Sequence, residues 1–263
     1  MLKTKLLVAA LGAAFAIPAM ADTAPASGFT PSSNVSLVSD YLYRGISQSG
    51  TNPAIQGGFD LAHSSGFYIG MWGSSISWLG DAGMNTAGTT GVANAGLELD
   101  TYTGFKGSAG DVGYDVGYLR YNYPGTYSAG ATKADTDEVY GAVSYSIVTA
   151  KVSYALGDLF GVAKAAGSTY LDLSASYAIA DTGITLGAHY GAQTYTGSGA
   201  DALKAANQDP TYTDYKVSAT KDFSGYVVGL AYSGTSNASP FYTNLQSKKL
   251  GQGTVVVSLS RTF

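Results

Sequence analysis

From residue 34 onward, apolar residues alternate with polar or small ones at a period of two. A helix buries one face with a period near 3.6, so this pattern predicts strands with one apolar and one polar face. Val35 and Leu37 oppose Ser36. Leu97, Leu99, Thr101, Thr103 and Phe105 oppose Glu98, Asp100, Tyr102 and Lys106, and Leu171, Leu173, Ala175 and Tyr177 oppose Asp172, Ser174 and Ser176. Twelve segments carry the pattern. Between Phe67 and Ser74 both faces are apolar or small, and the phase stays open.

The connections alternate strictly. Short ones fall near 63–66, 107–109, 146–147, 178–183 and 221–225, and long ones near 45–53, 75–94, 124–136, 156–168, 192–211 and 233–252. Outer-membrane barrels have short periplasmic turns and longer outer loops, and an even count returns both termini to one side. The predicted fold is therefore all-β: a transmembrane up-and-down antiparallel β-barrel of about 12 strands. Its apolar face would meet lipid, and its Gly-, Ser- and Thr-rich face a wet lumen. Tyr41, Tyr43, Tyr118, Tyr145, Tyr154, Tyr177, Tyr190 and Tyr232 are expected in interfacial girdles on the lipid side.

Composition excludes other classes. Past the N-terminus no apolar run approaches the ~18 residues of a spanning helix, although only 12% of residues are charged. The absence of cysteine removes disulfides and thiolate metal sites. A net charge of −4 argues against a nucleic-acid partner. Lys3 and Lys5, the apolar run Leu6–Ile17 and Ala19-Met20-Ala21 read as an export signal cleaved after Ala21. The expected organisation is a signal peptide over 1–21, a short periplasmic segment over 22–33 and a barrel over 34–263. The terminal Phe263, with alternating apolar positions back to Val255, is similar to the C-terminal strand signature read by the barrel assembly machinery. Arg261 departs from it.

The stretch Val38-Ser-Asp-Tyr-Leu-Tyr-Arg-Gly-Ile-Ser-Gln48 resembles the opening motif of the TorF family of proteobacterial porin candidates, also called the Gcw_chp domain. Pro53-Ala-Ile-Gln-Gly57, Gly66-Phe-Tyr-Ile-Gly70, Trp72-Gly73-Ser74, Glu98-Leu-Asp100 and Tyr121-Asn-Tyr-Pro-Gly125 continue the resemblance. It implies an outer-membrane barrel that forms a pore, and it supplies no substrate.

No cofactor or metal motif is present, and a catalytic base could come only from His63 or His189. Asp135, Asp137 and Glu138 read as solvated loop acids, with calcium as the alternative. Candidate pore-lining residues are Asp40, Arg44, Asp60, Glu98, Asp100, Asp115, Glu138, Lys151, Asp172, His189, Asp214 and Lys216, with Lys106 on the same face. Read as strand residues, Asp40 and Arg44 share a face about 13 Å apart at ~3.3 Å per residue, too far to pair. They would brace the wall or filter ions. The acids of this face outnumber its bases, which predicts a mild preference for cations among small hydrophilic solutes. The alternatives are a plugged structural or adhesive barrel and, less favoured, an outer-membrane enzyme using His189. Deleting Phe263 should lower the amount of assembled protein in the outer membrane. Assembly at the level of the intact chain would make the terminal pattern incidental.

Overall fold

The computed structural model describes residues 28–81, 92–236 and 239–263, with the backbone of 10–11 and 14–15. The expected signal segment and its cleavage site otherwise lie outside the described residues. Twelve strands form one closed barrel: β1 (Phe29–Val38), β2 (Ala54–His63), β3 (Phe67–Ser75), β4 (Leu97–Ala109), β5 (Val112–Asn122), β6 (Thr136–Tyr145), β7 (Val148–Ala155), β8 (Thr169–Ile179), β9 (Ile184–Thr194), β10 (Tyr212–Phe223), β11 (Tyr226–Thr235) and β12 (Thr254–Thr262). Each pairs antiparallel with its chain neighbours, and β12 closes on β1 through Ser258↔Val38 to Thr262↔Asn34. Phe263 completes the seam, its N–H donating to Ser33 O at 2.8 Å and its carbonyl accepting from Ser33 N at 3.1 Å. No described helix is long and apolar enough to cross a membrane.

β1 begins at Phe29, earlier than the expected start at Asn34, and residues 29–33 pair with 59–63. Thr30-Pro-Ser-Ser33 lacks alternation because the ladder continues below the apolar band, where pairing does not require a lipid-compatible face.

The two faces are inverted relative to a soluble protein. Val35, Leu37, Ile55, Val143, Val217 and Val257 all point outward and are exposed. Carboxylates at the alternate positions, Asp60, Glu98, Asp100, Glu138, Asp172 and Asp214, are buried. The structure fixes the open phase of β3: Phe67, Ile69 and Met71 face outward, and Tyr68 and Trp72 face the lumen. Tyr145, Tyr154, Tyr177, Tyr190 and Tyr232 lie exposed on the outer face as expected.

Inward tyrosines lie across glycines of adjacent strands. Tyr102 covers Gly70, Tyr68 covers Gly104, Tyr140 covers Gly117 and Tyr170 covers Gly191. A Cβ at Gly117 would stand 2.5 Å from the Tyr140 hydroxyl and 2.8 Å from Thr103 O. Gly117→Val should therefore cost about 1–3 kcal/mol through overpacking. The check is the temperature at which the fast-migrating, unheated gel band is lost. An unchanged temperature would refute the packing role.

Candidate functional site

The lumen is filled from the long-loop end by residues 39–53. Leu42–Tyr43 pairs with Ile46–Ser47 in a hairpin whose turn is Arg44-Gly45, at φ +46° and +77°. A two-residue turn with both central residues at positive φ is the type I′ geometry that matches strand twist. Arginine rarely adopts it, so surrounding contacts must hold it there. This corrects the reading of Asp40 and Arg44 as strand residues: β1 ends at Val38, and both belong to the inserted hairpin.

The hairpin crosses to the far wall. A Cβ on Gly45 would lie 2.7 Å from Asp214 Cβ and 2.9 Å from Thr235 Cγ2. Arg44 donates from Nη2 to Glu138 Oε2 at 2.7 Å and Oε1 at 3.0 Å, and from Nη1 to Gln193 Oε1 at 2.6 Å. Its guanidinium lies 4.2 Å from the Tyr170 ring centre and 4.9 Å from that of Tyr43. The two side chains of the ion pair are 6% and 3% exposed, so the pair is desolvated. Fork-to-carboxylate pairing flanked by aromatic faces suits arginine and not lysine.

Aromatic contacts seat the rest of the hairpin. Tyr41 meets Trp72 edge-on at 5.5 Å and donates to Glu98 Oε1 at 2.8 Å. Tyr43 packs edge-on against Tyr121 and Phe160, with the Tyr43 and Tyr121 hydroxyls 2.5 Å apart. Neither tyrosine joins the outer girdle, because alternation at 40–44 follows the hairpin and not a wall strand. Asp40 braces the hairpin base, accepting from Ser47 Oγ at 2.6 Å and Ser49 Oγ at 3.0 Å. Burial pushes its carboxyl above the usual carboxylate range against those two hydroxyls. Other long loops add Trp78, Tyr123, Phe160, Tyr195, Phe241 and Tyr242 to one buried cluster. A cavity of about 20 Å³ remains beside Arg44, room for about one water.

The wall carries two further polar groups. In the first, Tyr170 donates to Asp214 Oδ2 at 2.9 Å and its hydroxyl lies 3.0 Å from His189 Nε2, which is 2.9 Å from Asp214 Oδ1. His189 Nδ1 faces Asp172 at 3.3 Å, and Ser174 donates to Asp172 at 2.5 Å. Lys216 stands opposite His189 in register. The ring thus ties β8, β9 and β10 together. In the second group, Tyr68 donates to Asp115 at 2.7 Å and meets the Tyr140 hydroxyl, while Tyr102 donates to Asp60 at 2.6 Å. Lys151 lies 4.0 Å above the Tyr140 ring and Lys106 5.4 Å above that of Tyr68.

All twelve candidate lining residues thus point into the barrel, with Asp40 and Arg44 on the hairpin. Tyr170, Gln193, Tyr121 and Phe160 escaped the sequence reading. An aromatic on the polar phase diagonal to a glycine of the next strand, as Tyr170 is to Gly191, is the signal that would have found one of them. Asp135 and Asp137 do not join Glu138 in a cation site. Asp137 is on the outer face with Arg120, at 2.8 Å, whereas Glu138 faces Arg44. Among the described residues no cluster of three or more His, Asp or Glu side chains has metal-binding geometry.

An apolar exterior, a closed ladder and a polar, loop-filled lumen define a membrane-spanning β-barrel of the outer-membrane type. The chain belongs to the Gcw_chp family, described as bacterial protein of unknown function, whose profile matches residues 22–263. No curated protein matches it. Among solved structures, the NanC porin aligns over 89% of this chain and 99% of its own, at 10% identity and a TM-score of 0.50. The outer membrane channel DcaP of Acinetobacter baumannii aligns over 92% and 99% at 11% identity, with a TM-score of 0.42. The first likeness is one of fold.

Removing one partner of a buried pair leaves the other charge uncompensated. Arg44→Ala should destabilise the barrel by about 3–5 kcal/mol, and Arg44→Lys should recover only part of that. Thermal melts followed by gel shift would measure both. A melt for Arg44→Ala identical to that of the wild type would remove the pair from the account.

Proposed function

We propose that the protein is a narrow outer-membrane pore for small hydrophilic solutes or ions, constricted by its first hairpin and mildly selective for cations. The observation that carries this reading is the Arg44–Glu138 latch across a polar lumen. The wall around it holds Asp60, Glu98, Asp100, Asp115, Glu138, Asp172 and Asp214 against Lys106, Lys151 and Lys216, while Asp40 and Arg44 of the hairpin cancel. Low-dielectric walls focus that negative field, and rings of Asp and Glu favour cations. The porin-like fold and the family profile's start at residue 22, directly after the expected cleavage site, support export to the outer membrane. Pairing of Phe263 at the seam supports insertion led by the terminal strand. The His189 ring ties the wall together and is not used as a base.

A second reading, a plugged structural barrel, draws on the aromatic packing of the hairpin. Recordings in planar bilayers across a potassium chloride gradient separate the two. The pore reading expects a small wild-type conductance with a cation-selective reversal potential that shrinks as salt rises. It also expects a severalfold larger conductance in Arg44→Ala. An anion-selective potential would refute the charge assignment. Silence in both proteins would establish the plug.

A further inference from the structure

Glu98 and Asp100 occupy successive inward positions on β4, directly behind the hairpin. They are 1% and 5% exposed. The Glu98 carboxylate interacts with the hydroxyls of Tyr41, which donates to Oε1, and Tyr123, but Glu98 Oε2 and Asp100 Oδ1 are buried with no hydrogen-bond partner among the described residues. A buried carboxylate is retained only when something supplies a proton, a donor or a positive charge. The Arg44 guanidinium is directed to Glu138 and Gln193, and among the described residues no ion pair reaches Glu98 or Asp100. The surroundings add neutral oxygens: Ser74 stands opposite Glu98 in register on β3, and Tyr121 opposite Asp100 on β5.

We propose that Glu98 and Asp100 bind a hard divalent cation, calcium or a close relative, that seats the hairpin against β3–β5. The two orphaned oxygens mark the ligand positions. Two carboxylate oxygens with hydroxyl and water oxygens make the all-oxygen, irregular shell that calcium accepts and magnesium resists. The set contains no sulfur or imidazole, which disfavours zinc and copper. The ion neutralises two charges that have no ion-pair partner among the described residues, and through the Tyr41 hydroxyl on Glu98 it fixes the hairpin. This site borders the Arg44 latch through Tyr121, whose hydroxyl donates to Glu138 Oε2 at 3.3 Å, and it does not depend on whether the barrel conducts.

The test uses the full mature chain refolded in detergent, melted with a chelator, with millimolar calcium chloride and with potassium chloride of equal ionic strength. Calcium should raise the melting temperature of the wild type, and potassium should not. Glu98→Gln and Asp100→Asn should each lose most of that rise, yet melt higher than the wild type in the chelator because a repelling charge is gone. Asp60→Asn, on the same wall but outside the site, should keep the calcium response. Equal melts of the wild type in chelator and calcium would overturn the proposal and leave the carboxylates sharing protons. An equal rise in both site variants, or an equal effect of potassium, would overturn it as well. If a variant fails to fold, calcium titration of the wild type by calorimetry still decides: one ion per barrel upholds the site, and none overturns it.

Discussion

Hydrocarbon offers no partner to a backbone N–H or C=O, and every other feature of this barrel follows from that. Twelve strands pair in sequence order, and the seam between β12 and β1 leaves no edge. The surrounding hydrocarbon forces the inversion of faces, because Val, Leu and Tyr side chains satisfy lipid where a soluble sheet would turn them inward. The cost moves to the interior. Twelve strands enclose more space than wall side chains fill, since eight already suffice for a side-chain-filled interior. The chain fills the remainder twice over, with tyrosines laid across wall glycines and with a hairpin driven in from the long-loop end.

The Arg44–Glu138 pair specifies that filling more than it stabilises it. Desolvating two charges costs nearly as much as their attraction returns, so an intact buried pair is weak evidence of net stability. Its value lies in what it forbids. A shifted hairpin would separate the Arg44 fork from Glu138 and Gln193 and leave buried polar groups to find other partners. The positive φ of Arg44 fits the same account: a strained conformation persists because the fork has one place to land. Tyr41 on Glu98 and Asp40 on two serines fix the hairpin base, so tip and base are set by separate polar contacts.

The strands and their faces were legible because period two is a property of the backbone, and one face had to be acceptable to lipid. Loop asymmetry was legible because an up-and-down barrel of this type carries short turns on one side and longer loops on the other. The hairpin was not. Alternation runs on past Val38 through Asp40, Tyr41, Tyr43 and Arg44, and it imitates a longer strand. The distinguishing mark is local: Arg44-Gly45 between two short extended pairs reads as a type I′ turn. The phase of β3 was obscured because Tyr68 and Trp72 face a lumen that is itself aromatic, so hydrophobicity ceases to distinguish inside from outside. Gln193 and Phe160 reach Arg44 from strands and loops far along the chain, and no local pattern encodes that meeting.

The lysines of the wall complete the electrostatic argument. Lys151 and Lys106 rest on the faces of Tyr140 and Tyr68. A cation held by a ring quadrupole is positioned without cancelling a carboxylate. Arg44 neutralises Glu138, and His189 lies between Asp172 and Asp214, but these two lysines leave the other wall acids uncancelled, and the field of those acids depends on how much water reaches them. With the hairpin seated, the lumen at its level is nearly dry and each charge acts at low dielectric. Withdrawing the hairpin would break the latch, flood the wall and screen the same charges together. In the proposed pore, constriction and selectivity would thus be one property of the lumen, governed by where a single arginine sits.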